Sequence, residues 1–129
     1  TITKLAHEKS QKNNSPDLAK DVQRAVNKVI LPPVIIAVAS KKTPNDDFRQ
    51  KEDYAASVCA LHNLVLSFWD NGIGSQWTTG AITRHQETYS ALNIDSTKYE
   101  IIGFVKSGYP AAVPKVSKLS VDDISVYLD

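Results

Sequence analysis

Apolar residues recur at helical spacing in two parts of the chain and crowd into short β-branched runs in two others. Leu18, Val22, Ala25 and Val29 form the first stripe, and intervals of three and four place them on one helix face. Ser15-Pro16-Asp17 precedes them as a start signal, because Ser caps free N–H groups, Pro is tolerated in the first turn and Asp favours the positive helix end. Pro32-Pro33 stops this helix. A longer helical pattern runs from about Phe48 to Asn71, with Tyr54, Val58, Leu61, Val65 and Phe68 on one stripe and Ala55, Cys59, Leu66 and Trp69 beside it. Apolar residues around most of the circumference predict a helix that runs through the core. Asn71-Gly72 ends it, since Gly takes the left-handed conformation without steric cost.

"VIIAVAS", Val34 to Ser40, is short, β-branched and apolar on both faces, which predicts a strand in the middle of a sheet covered by helices. "YEIIGFVKSGYP" predicts a second buried strand ending in a Gly-Tyr-Pro turn. Between them, Thr83 and Gln86 match a capping box, so "RHQETYSALN" predicts a short surface helix ending at Asn93. Residues 1–14 read as a short helix running into a solvated loop. The tail from Ala111 to "ISVYLD" reads as an extended arm or edge strand. There are no internal repeats. Strands alternating with helices predict an α/β or α+β sheet sandwiched by helices, in one domain spanning residues 1–129.

Composition narrows the function classes. A chain of 129 residues is long enough to bury about two thirds of its unfolded surface. Fifteen basic side chains nearly cancel fourteen acidic ones, which argues against nucleic acid or a membrane surface held by bulk charge. No apolar run approaches the roughly 20 residues a membrane span needs. Cys59 is the only cysteine, which excludes an intramolecular disulfide and thiolate clusters and suggests a reducing, cytoplasmic setting. No methionine occurs, so a chain beginning at Thr1 reads as a fragment.

Catalytic constellations are thin. His7, His62 and His85 lie far apart on different predicted elements, without metal-ligand spacing, so no metal site is expected. Cys59, inside the central helix, predicts a buried, inert thiol. Asp46-Asp47, Glu52-Asp53 and Asp122-Asp123 are adjacent pairs that read as solvated faces, and no residue stands out as catalytic. "NGIGSQWTTGAIT", Asn71 to Thr83, concentrates glycines and threonines around one tryptophan. Gly72, Gly74 and Gly80 fail the dinucleotide fingerprint in spacing and context, since they follow a helix and precede a strand. What remains is a strand with an open backbone, where a flat ligand can approach main-chain groups. The competing reading is a tight helix–strand turn with Trp77 in the core.

Taken in order, "PPVIIAVAS", the long apolar helix, "NGIGSQWTTGAIT" and "YEIIGFVKSGYP" resemble the C-terminal two thirds of the FMN-dependent nitroreductase family, and in particular its small-subunit branch of NAD(P)H nitroreductases. The resemblance runs from about Leu18 to the C-terminus. It implies an α+β fold with a mixed sheet flanked by helices, built as an intertwined homodimer with FMN at the subunit interface. It also implies ping-pong hydride chemistry, from NAD(P)H to FMN to a nitroaromatic, quinone or similar acceptor. By position it implies FMN contacts at Trp77, Thr78, Thr79 and Gly80, with the Thr79–Gly80 backbone at the reactive ring edge, and phosphate contacts at Lys115 and Lys118. It assigns Ser67, Phe68, Trp69, Asp70, Asn71 and Gly72 to the nicotinamide nucleotide, although a helix C-terminus is a poor place for phosphates. The family's Arg-Arg-Ser type motif on its first helix, which grips the FMN phosphate, has no counterpart here. A rival reading is therefore a non-catalytic scaffold or ligand-binding dimer that has lost its flavin.

Overall fold

The computed structural model describes residues 2–14 and 16–128; Ser15, part of the expected helix start, lies outside them. Two helices open the chain, α1 (Ile2–Lys12) and α2 (Leu18–Ile30), and pack along each other. The α2 cap is Asp17, whose carboxylate accepts from Lys20 N–H at 3.0 Å. The chain continues through β1 (Val34–Lys41), α3 (Asp47–Asp70), β2 (Gly74–Thr78), a 3-10 turn (Ala81–Thr83), α4 (Gln86–Ala91) and β3 (Tyr99–Gly108) to a last helical turn, α5 (Val121–Ile124). The fold is α+β, and the described strands pair antiparallel throughout, in the order β1-β3-β2.

That order corrects the expectation for "VIIAVAS". The middle strand is β3, which is buried at Ile101, Ile102, Gly103, Val105 and Ser107, whereas β1 is an edge strand and mostly half-buried. Apolarity on both faces reports what covers a strand above and below; it carries no information about lateral pairing.

Helix α3 crosses one face of the sheet. Leu61, Ile102 and Val105 form the buried centre, and Ile36, Val38, Val58, Val65 and Phe68 pack around it. Removing the Leu61 side chain beyond Cβ should cost about 2–5 kcal/mol, because the sheet beneath cannot collapse into the gap. The second apolar stripe of α3 points away: Leu66 and Trp69 are 52% and 58% exposed. The helix thus lies over the core and does not run through it, and Cys59, expected to be buried, is exposed. Alternation along the strands sends Ile35, Ala37 and Phe104 to the opposite face, where they meet Val29 of α2 and Ala91 and Leu92 at the end of α4 across an apolar gap.

The capping box expected at Thr83 and Gln86 does not form. The Thr83 hydroxyl instead donates to the Gly80 carbonyl at 2.9 Å within the 3-10 turn, and His85 caps α4 by accepting from Glu87 N–H at Nδ1. Asn93, at the expected end, has a left-handed φ of 54° just past the helix, while Thr88 and Tyr89 are buried and anchor it. The tail forms no edge strand among the described residues, although beyond α5 residues 126–128 are exposed and Ser125 is extended, as an arm would be. Residues 111–120 have no regular structure, and Ser120 then caps α5 reciprocally with Asp123, a local hydrogen-bonded turn that competes with extended pairing.

Candidate functional site

The open-backbone strand forms as expected, and its side chains are committed to holding it in place. Helix α3 ends where Asn71 N–H donates to the carbonyls of Ser67 and Phe68 and Ile73 N–H reaches back to Phe68 at 2.8 Å, a closure that needs Gly72 at a φ of 72°. Strand β2 then pairs with β3 from Gly74 opposite Gly108 to Thr78 opposite Phe104. Ser75 and Ser107 bond hydroxyl to hydroxyl at 3.2 Å, and Thr78 Oγ1 donates to the Phe104 carbonyl at 3.3 Å. The Trp77 ring lies across Gly103, where an added Cβ would come within 2.6 Å of its Cδ1, and its indole N–H donates to the Ile102 carbonyl at 3.4 Å. Trp77 is therefore partly packed and still 41% exposed.

Past Thr78 the main chain opens. Gly80 has φ 138° and ψ −165°, a region essentially reserved for glycine, and nothing lies within 4 Å of where its Cβ would stand. Its carbonyl accepts from the N–H and hydroxyl of Thr83, whereas its own N–H has no hydrogen-bond partner among the described residues. Gly80 is thus exposed, anchored through its carbonyl and open at its N–H. Such a backbone leaves room for the edge of a flat ligand beside the Gly80 N–H.

The remaining expected residues lie elsewhere. Ser67 to Gly72 sit at the other end of β2, where they terminate α3; Phe68 packs on the core, Trp69 faces out, and no basic residue stands in the last turn. Lys115 and Lys118 are exposed on the irregular tail and make no ion pair among the described residues.

A groove of about 910 Å³ between α2 and the Gly74–Gln76 end of β2 was not anticipated. Lys20, Arg24 and Lys28 line it from α2, and Lys106 from β3. Burial, and secondarily the nearby charge of Lys28, hold the Lys106 amine below its ordinary range. One signal was available in sequence, since Lys20, Arg24 and Lys28 recur every four residues. The approach of Lys106 to them was not, because it comes from tertiary packing.

The sequence model of the nitroreductase family matches residues 2–109, and the chain belongs to that family. Among individual proteins it is similar to one from Bacillus subtilis (strain 168) named "Putative NAD(P)H nitroreductase YfhC", with 29% identity over 109 residues, 83% of this chain and 55% of the relative. The chain therefore spans little more than half the length of that protein. A nitroreductase-like family protein from Bacillus cereus superposes with a TM-score of 0.70 over 88% of this chain and 60% of its own, at 20% identity. A nitroreductase family protein from Streptococcus pneumoniae TIGR4 gives a TM-score of 0.50 over 98% and 60%, at 21% identity. Both likenesses concern the fold. Among the described residues no helix is long and apolar enough to cross a membrane.

Proposed function

We propose that the chain belongs to an FMN-dependent NAD(P)H oxidoreductase that reduces nitroaromatic, quinone or similar acceptors. The observation that carries this reading is the Thr79–Gly80 peptide, with an unpartnered N–H and open space beside a glycine held at φ 138°. When bound, FMN supplies the hydride and electron transfer that no side-chain constellation here offers. The protein's share is positioning. Trp77 and Thr78 lock β2 to β3, Thr79 and Gly80 present the main chain to the ring edge, and the free N–H favours negative charge there through a hydrogen bond that needs no reorganisation.

We further propose that the protein works as a homodimer in the cytoplasm. The outer stripe of α3, with Leu66 and Trp69, and the apolar tail residues Val126, Tyr127 and Leu128 are exposed in the single chain, and a second subunit would cover them. In such a dimer the α3 terminus from Ser67 to Gly72 would approach the nicotinamide nucleotide through Trp69, and Lys115 and Lys118 on the tail would reach the FMN phosphate.

The test is the visible spectrum of the purified protein before and after anaerobic NADPH. A yellow spectrum that bleaches supports the oxidoreductase. A colourless protein that ignores added FMN would overturn it for this chain and favour a scaffold without flavin.

A further inference from the structure

We propose that the basic groove between α2 and the β2–β3 end of the sheet binds the phosphate of a nucleotide. The proposal rests on the oxidoreductase reading for which nucleotides to try, and on the groove's own charge for why they bind. Lys20, Arg24 and Lys28 lie along one face of α2, and Lys106 faces them from the sheet. Like charges at this spacing repel and do nothing for the helix. Among the described residues no acidic side chain lines the groove. Asp21 offsets part of Arg24, at 3.3 Å, while Lys20, Lys28 and Lys106 make no ion pair among the described residues. The sheet thus places a lysine against another lysine at a partly desolvated position, an arrangement that a bound dianion relieves.

Neutral donors complete the lining. Gln23 donates its amide N–H to Asn27 Oδ1 at 2.7 Å, which leaves the Asn27 amide nitrogen free to donate, and Gln76 adds another amide from β2. The volume, about 910 Å³, suits a small molecule more than a macromolecule, and the net charge of +1 gives no general attraction for polyanions. Strand β2 also connects this groove to the open peptide. Gln76 lines the groove and Gly80 stands four residues on, about 13 Å at strand rise. Both the ribityl chain of FMN and the sugar–pyrophosphate of a nicotinamide dinucleotide bridge such a span, so the shared chemistry is a phosphate ester held by lysine.

The experiment titrates the full chain with FMN, riboflavin, NADPH, NADH and inorganic pyrophosphate, by flavin or nicotinamide fluorescence and by calorimetry. It compares wild type with K28Q/K106Q and with K20Q/R24Q, each first checked for an unchanged circular dichroism spectrum. Loss of about tenfold or more in FMN affinity with riboflavin unaffected would support the groove and assign it to the flavin's phosphate. The same loss for NADPH, with FMN unchanged, would support it and assign it to the dinucleotide. If no flavin binds wild type but pyrophosphate does, and the variants lose it, the groove stands while the flavin reading fails. Unchanged affinities for FMN, NADPH and pyrophosphate in both variants would overturn the proposal, even in a protein that is fully flavin-loaded.

Discussion

The indole N–H of Trp77 donates to the carbonyl of Ile102 at 3.4 Å, across a strand pair and directly over Gly103. Ile102 is the extra residue of a bulge: Val38 opposes Gly103 and Ala39 opposes Ile101, so Ile102 has no counterpart on β1. A bulge strands backbone groups, and here an aromatic side chain takes up one of them. Trp77→Phe keeps most of the packing and leaves the Ile102 carbonyl unpaired, a loss of about 1–3 kcal/mol. Gly103→Ala drives a methyl group into the indole and should cost about as much through overpacking. Urea titration of the two single variants and the double variant checks the relationship: because both act on one contact, their effects should sum to less than independent losses would.

Tyr89 serves the other side of the same bulge. Its hydroxyl accepts from the Ile101 N–H at 3.0 Å, with Tyr89 and Ile101 both buried. Tyr89→Phe leaves that N–H without a partner and should lower stability by about 1–3 kcal/mol. Native-state hydrogen exchange is the sharper measurement. The Ile101 amide should lose protection far beyond the global change, and an unaltered Ile101 rate would show that the hydroxyl is dispensable.

Gly80 tests site and fold separately. Any other residue at φ 138° is strained by about 1–3 kcal/mol, although space for a Cβ is available. Gly80→Ala should therefore fold with reduced stability and retain flavin poorly, because its main chain shifts and a methyl group enters the open side. His62→Ala and Cys59→Ser, on the exposed outer side of α3, should leave flavin retention unchanged. Equal retention in all three variants, read from the visible absorbance of dialysed protein, would remove the ring from the Thr79–Gly80 peptide.

The parts legible in sequence were those written in local spacing. The stripes of α2 and α3, the stop at Asn71-Gly72 and the β-branched run of β3 each depend on residues within a turn or two of one another, and each forms. Lateral order was not legible. Strands β1 and β3 share an apolar, β-branched pattern, and only pairing makes β3 the central strand. The exposure of Cys59 was hidden for a similar reason, since a helix apolar all round has two faces to cover and the described chain covers one. Thr83 was misread because its hydroxyl, which in a capping box would accept from a backbone N–H ahead of it, instead donates to the Gly80 carbonyl three residues back. Lys106 was invisible because its environment is set first by burial and then by Lys28, from which it is separated by most of the chain.

That environment makes stability depend on pH in a direction that can be worked out. Burial first, then Lys28, lowers the Lys106 pKa from the ordinary 10.5, so the charged form is disfavoured in the folded state. Below the lowered folded value the amine is charged in folded and unfolded chains alike, and the folded chain bears the full penalty. As pH rises through the lowered folded value, the folded state sheds its proton first, and stability from this group increases until the unfolded lysine also titrates near 10.5. Lys106→Met, which keeps the length and removes the charge, should therefore be more stable than wild type at pH 7, with the gap closing as pH approaches 10.5. Saturating pyrophosphate should narrow the gap at pH 7 from the other direction, by stabilising the charged lysine in the wild type alone. Urea midpoints at intervals from pH 7 upward, with and without pyrophosphate, measure both effects; a gap of constant size across that range would show that Lys106 carries no penalty in the folded protein.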